Sequence, residues 1–246
     1  MGRATKSATA RRASARAWSL ERYLEASRDG GNSLLLTLPL LLAYQTGQLF
    51  RSTPTRNAAD AWIAEFLLRF GKAASFSVCL ALVVAFVVVA LRRRRPASPV
   101  GLLLPVVAES ALYAAALAPA VRLLCGRRLA ADGGGVASAF DAAVLALGAG
   151  FYEELVFRLG VLAGTFWICR RLLVVGPHGS IAVALATSSV AFSLFHHVGA
   201  GAEPFTLGAF VFRAAAGALL GVLFVLRGFG VACYTHALYN LMVRFG

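Results

Sequence analysis

Three short clusters in the second half of the chain place ionisable and amide side chains inside otherwise apolar sequence. The first is Phe151-Tyr152-Glu153-Glu154-Leu155-Val156-Phe157-Arg158. On a helix, successive residues turn by about 100°. Glu154 and Arg158, four apart, therefore share a face and can form an ion pair. Glu153 is rotated by about 100° from Glu154 and has no cation at helical spacing. It is the free carboxylate of the set, suited to general-base chemistry. The second cluster, Phe192-Ser193-Leu194-Phe195-His196-His197, ends an apolar run. Phe192 and His196 share a helical face, so the ring can pack against the imidazole and orient it. The third is His236-Ala237-Leu238-Tyr239-Asn240. His236 and Asn240 point the same way, and a histidine with an amide can donate hydrogen bonds to a developing oxyanion. A base, an orienting histidine and a pair of donors are the parts that hydrolysis of an acyl bond requires.

Each cluster also has a purely structural explanation. Carboxylates at a helix end can snorkel to the membrane surface. A histidine at a helix end suits the interface, and a His/Asn pair can clamp two helices together. Other hydrolytic signatures are missing: the chain contains no HExxH and no G-x-S-x-G, so neither a zincin helix nor a nucleophile elbow is available. Glu153, His196 and His236 are suitable types of zinc ligand. No paired-ligand helix motif accompanies them, however, and neither a metal nor another cofactor is expected. Cys79, Cys125, Cys169 and Cys233 lie far apart without a CxxC pair. They read as small packing residues rather than as a disulfide framework.

The elements that must position these residues are membrane helices. Hydrophobic residues make up 59% of the chain and charged ones 14%, with a mean hydropathy of +0.74; soluble domains carry about 25% charged residues. A spanning helix needs about 20 mostly apolar residues. Candidate spans cover about residues 33–50, 74–91, 100–124, 137–157, 180–198, 206–226 and 229–245. The apolar segment 158–175 either continues the fourth span or forms one of its own, so the expectation is an all-α polytopic bundle of seven or eight spans. Pro54, Pro96, Pro99, Gly133–Gly135, Gly176-Pro177 and the stretch Gly199–Pro204 mark the loops.

The net charge is +13, and the cations sit in the N-terminal tail and in short loops. That pattern belongs to cytoplasmic loops facing anionic lipid rather than to a nucleic-acid binder. It puts the tail and Arg92–Arg95 in the cytoplasm of a multi-pass inner-membrane protein. Residues 1–32 form a basic tail without the apolar core of a signal peptide. Within it, Leu20, Tyr23 and Leu24 share a helical face that can lie in the interface. Residues 33–246 then form the transmembrane domain, with the motif-bearing core at 137–245.

In order and approximate spacing, Glu153-Glu154-x-x-x-Arg158, Phe192-x-x-x-His196 and His236-x-x-x-Asn240 resemble the motifs of the CPBP family, the CAAX-protease and bacteriocin-processing enzymes also called Abi proteins. Phe212-Arg213-x-x-x-Gly217-x-x-x-Gly221 is similar to the helix before the last motif in bacterial members, and Gly217 with Gly221 forms a small-xxx-small packing face. The resemblance implies a glutamate-dependent intramembrane endopeptidase of largely eight-span, CAAX-protease-like architecture. It implies that Glu153 activates the attacking water, that His196 assists, and that His236 and Asn240 stabilise the oxyanion. Glu154 and Arg158 would hold the geometry. His197 is an adjacent extra, since the F-x-x-x-H register selects His196.

The expected substrate is a membrane protein or a lipid-associated peptide. Richness in Ala and Arg points to a GC-rich bacterial genome, which sets aside prenylated CAAX proteins. It favours maturation of a secreted peptide, or processing of a C-terminal membrane anchor during protein sorting. The alternative is a non-catalytic immunity or scaffold protein of the same family. A transporter would usually show repeat symmetry, which the sequence lacks.

Overall fold

A computed structural model describes residues 19–51, 56–71, 84, 88, 99–125, 138–199 and 202–245, and every regular element among them is helical. The helices are α1 (Leu20–Arg28), α2 (Gly30–Leu36), α3 (Leu38–Leu49), α4 (Ala58–Leu68), α5 (Pro99–Cys125), α6 (Ala139–Gly148), α7 (Ala163–Arg171), α8 (Pro177–Phe195), α9 (Leu207–Arg227) and α10 (Phe229–Phe245). Between α6 and α7 the chain stays helical through two π-helical segments, Ala149–Glu153 and Leu155–Leu162. Side chains of Ser19, Asp29, Asn57, Ser138 and Thr206 accept first-turn backbone N–H groups at the starts of α1, α2, α4, α6 and α9. Such caps satisfy donors that no helical carbonyl can reach.

Among the described residues, three helices are long and apolar enough to cross a membrane by themselves: Val100–Val121, Pro177–Phe195 and Leu207–Arg227. The others differ from the expected spans in instructive ways. The first candidate, 33–50, is broken at Thr37, whose hydroxyl bonds the Leu34 carbonyl at 2.7 Å, and Pro39 opens the next helix. The fourth candidate runs on unbroken to Arg171, so 158–175 continues it instead of forming a separate span. The last helix has 17 residues, at the short limit for a span. Of the expected span 74–91 only residues 84 and 88, both helical, are among the described residues, and Arg92–Arg95 lie outside them. The interfacial helix forms, but Leu20 on its expected apolar face is exposed, whereas Ala26 and Ser27 are buried and Tyr23 half-buried.

α10 is the central element. Every residue from Phe229 to Ala237 is buried, and the helix packs between α2, α5 and the first π segment. Leu36, Leu102, Val106, Phe151, Val231 and Ala237 form one apolar cluster around it. A second, deeper along α10, joins Leu117 and Val121 of α5 to Phe212, Leu220 and Tyr239. Leu104, Leu112 and Leu123 of α5 point outward and are exposed, as suits a lipid-facing side. In lipid such leucines gain nothing by moving inward, so the helices must associate through close packing and polar contacts.

Polar ties stand at both ends of the bundle. At one end Arg227 binds both carboxylate oxygens of Glu109 at 2.6 and 2.8 Å, and Tyr23 and Tyr113 donate to the same carboxylate. Gly228 turns the chain from α9 into α10 with φ +88°, and a side chain there would crowd Ser33 and Arg28. At the other end the buried side chains of Arg51 and Asp141 pair at 3.2 Å and tie the close of α3 to α6.

Candidate active site

The helix that carries Glu153 is pressed against α10 at Gly150. A Cβ on Gly150 would stand 2.6 Å from both the Cys233 carbonyl oxygen and the Ala237 Cβ, so only glycine permits this approach. The π-helical winding begins here, with Glu153 as the last residue of its first segment. π segments widen a helix locally and recur at functional sites. Glu153 is 5% exposed, and its two oxygens have different partners. Oε1 accepts a hydrogen bond from Asn57 Nδ2 at 2.9 Å. Oε2 stands 3.7 Å from His196 Nε2 and 3.7 Å from His236 Nε2.

The remaining ring nitrogens have acceptors of their own. His196 Nδ1 lies 2.8 Å from the Phe192 carbonyl oxygen. His236 Nδ1 lies 2.9 Å from Glu154 Oε1. A carbonyl and a carboxylate only accept, so their partners assign the hydrogen of each ring to Nδ1. Glu154 is fully buried, and its other oxygen, Oε2, is 3.1 Å from Arg158 Nε, also fully buried. Glu154 thus bridges Arg158 and His236, a second contact that the i, i+4 spacing alone does not reveal. The Arg158 guanidinium lies 5.0 Å from the Phe192 ring centre, within cation–π range. The same ring is 4.8 Å from His196 and 5.8 Å from His236. Gly217 of α9 faces Phe192, where a Cβ would come within 3.0 Å of the ring. The small-residue face of α9 therefore seats the aromatic ring that supports both histidines.

Glu153, Phe192, His196, His236 and Asn240 line one cavity of about 440 Å³. Arg56, Arg213 and Arg244 line it too, at the end where α9 starts and α10 closes, and Arg213 is bound to Glu203 at 2.7 Å. Glu154 and Arg158 stand behind this wall rather than in it. His197 turns away: its Nδ1 lies 3.0 Å from the Glu203 carbonyl oxygen, and its ring packs on Phe205. Among the described residues no group of three His, Cys, Asp or Glu side chains is arranged to hold a metal ion.

Asn57 was not among the residues singled out from the sequence. Its Oδ1 caps α4 through the N–H groups of Ala59 and Asp60, while its own N–H donates to the Tyr44 hydroxyl at 3.2 Å. The Tyr44 hydroxyl in turn donates to Asp60 at 2.8 Å. An asparagine ahead of Ala-Ala-Asp reads as a helix cap, and nothing local signals a partner 96 positions away.

The arrangement offers a carboxylate flanked by two imidazoles, with an amide on the same wall of a partly enclosed cavity. The model of the Rce1-like family, type II CAAX prenyl endopeptidases, matches residues 135–242, the stretch that holds all three motifs. No curated protein and no solved structure matches the chain. Residues 135–242 of this helical, membrane-suited chain match the Rce1-like family of CAAX proteases, the group its motifs resemble.

Proposed function

We propose that the chain is a glutamate-dependent intramembrane endopeptidase of the inner membrane, with seven or eight spans and with residues 33–246 as its catalytic domain. The observation that carries this reading is the position of Glu153 Oε2, 3.7 Å from the Nε2 atoms of His196 and His236. At 3.7 Å neither ring nitrogen is in direct hydrogen-bond contact with Oε2, and a water held on Oε2 is within reach of the imidazoles. Glu153 takes a proton from that water as its oxygen attacks the scissile carbonyl, and later delivers the proton to the leaving amine. His196, with its hydrogen held on Nδ1 by the Phe192 carbonyl, presents a lone pair that orients the water. The tetrahedral oxyanion accepts hydrogen bonds from the Asn240 amide and from His236 Nε2. With Nδ1–H given to Glu154, His236 donates from Nε2 only as the imidazolium, and the carboxylate of Glu154 stabilises that cation. No metal or other cofactor takes part. The substrate is a membrane protein or lipid-associated peptide, in a bacterial role of peptide maturation or anchor processing.

The test compares membrane proteomes of cells carrying the native chain and Glu153→Gln at equal expression. A precursor that accumulates only with the variant supports the reading and identifies the substrate. Identical processing in both would sink the catalytic role and favour a non-catalytic immunity or scaffold protein.

A further inference from the structure

The cavity opens at one end of the bundle, and the two ends differ in charge. α5 begins near α1, where Glu109 meets Tyr23 and Arg227, and its far half packs against Phe212 and Tyr239. α9 ends beside α1, where Arg227 donates to Ser27 Oγ at 2.9 Å. α10 starts there too, with Gly230 N–H donating to Ser33 Oγ at 2.6 Å. The long helix from α6 to α7 starts beside Arg51 and ends at Arg171, and α8 returns to His196. The α1 end therefore gathers the close of α7 and α9 and the start of α5, α8 and α10. The opposite end holds the start of α9, the close of α8 and α10, and the cavity mouth.

In the sequence, cations flank the elements that meet at the α1 end. Arg3, Lys6, Arg11, Arg12 and Arg16 precede α1 in the chain, Arg92–Arg95 precede α5, and Arg170 and Arg171 close α7. The cavity end has fewer: Arg122 stands in the last turn of α5 with Arg127 and Arg128 after it in the chain, and Arg51, Arg56, Arg213 and Arg244 stand beside α6, α4, α9 and α10. Lys and Arg near span ends set orientation, with the richer side retained in the cytoplasm. Anionic lipid of that leaflet adds about 1 kcal/mol per cation close to the surface.

We infer that the cavity opens on the non-cytoplasmic face of the membrane, and that the peptide it takes is a segment of a protein already exported. The substrate half rests on the peptidase reading above; the orientation half can be read without activity. The orientation experiment uses the full chain in a bacterial host with Cys79 and Cys125 replaced by Ser, Cys169 and Cys233 being buried. Val198→Cys probes the cavity end and Leu173→Cys the α1 end; the native residues are 73% and 64% exposed. A membrane-impermeant maleimide added to intact spheroplasts should label Val198→Cys at once and Leu173→Cys only after permeabilisation. Alkaline phosphatase fused after the last residue should be active, and green fluorescent protein fused there dark. These fusions read orientation even where a cysteine variant fails to accumulate. Reversed or equal labelling, or a fluorescent carboxyl-terminal fusion, overturns the orientation. If the labelling is as expected, a Glu153→Gln precursor cut in native cells at a site shielded from protease added outside overturns the substrate half. Expected labelling with unchanged processing in Glu153→Gln refutes the peptidase reading, and the substrate half with it, while the orientation stands.

Discussion

Glu153 and Glu154 are neighbours in sequence with opposite surroundings. Glu154 is walled in by Arg158 and His236. Glu153 has an amide on one oxygen and open cavity beside the other. That asymmetry makes Asn57 a positioning residue for the proposed base: by holding Oε1 it aims Oε2 between the imidazoles. Its cap and its contact to Glu153 can be separated. Asn57→Ser keeps a capping oxygen, because serine caps about as well as asparagine, but its side chain is too short to reach Glu153. The expected result is a thermal midpoint close to native with kcat reduced roughly 10–100-fold and KM little changed, since a misaimed group costs rate more than binding. Turnover of the identified precursor and thermal unfolding of the same preparation check it. A parallel fall of both would show that Asn57 serves the fold alone.

At the scale of elements, the site depends on how closely the Glu153 helix approaches α10. Gly150→Ala places a methyl group 2.6 Å from a backbone oxygen that cannot swing aside. Overpacking of this kind costs about 1–3 kcal/mol, and here it also pushes Glu153 away from His236. The variant should unfold at lower temperature and lose most turnover, whereas Gly164→Ala, where nothing lies within 4 Å, should match the native chain in both. Equal behaviour of the two variants would dismiss the close approach as a determinant. The face-sharing pairs were readable in advance because they depend only on helical spacing: Glu154 with Arg158, and Phe192 with His196, meet as that spacing predicts. The π winding was not readable. It arises where the helix yields to tertiary packing, and Ala149-Gly150-Phe151 carries no local mark of it. The break at Thr37 did carry a local mark, Pro39, which the apolar count over 33–50 passes over, as it does the hydroxyl returning to the Leu34 carbonyl. Apolar composition reports burial in lipid; it does not say where a helix stops.

For the whole molecule, the clamp at the α1 end decides whether the amphipathic N-terminal helix moves with the bundle. Arg227 joins three elements at once: Ser27 of α1, Glu109 of α5 and its own α9. The guanidinium also lies 5.6 Å from the Tyr23 ring centre, and Tyr23 donates to Glu109. Hydrogen bonds to charged groups contribute about 1.5–3 kcal/mol each, so Arg227→Gln should release α1 and lower the thermal midpoint. Hydrogen exchange should then rise in residues 20–28, with little change in α8 or α10. Burial, followed by the bond to Glu109, pushes the Tyr23 hydroxyl above the usual tyrosine range. A raised folded-state value means that this contribution is complete below the unfolded value of about 10 and is lost as pH rises from there through the folded value. Protection of α1 should therefore hold through neutral pH and fall in strong alkali. Tyr23→Phe, which has no proton to lose, should remove that alkaline step while keeping the ring over Arg227. An alkaline step that persists in Tyr23→Phe would assign the titration to another group and leave Tyr23 with a packing role only.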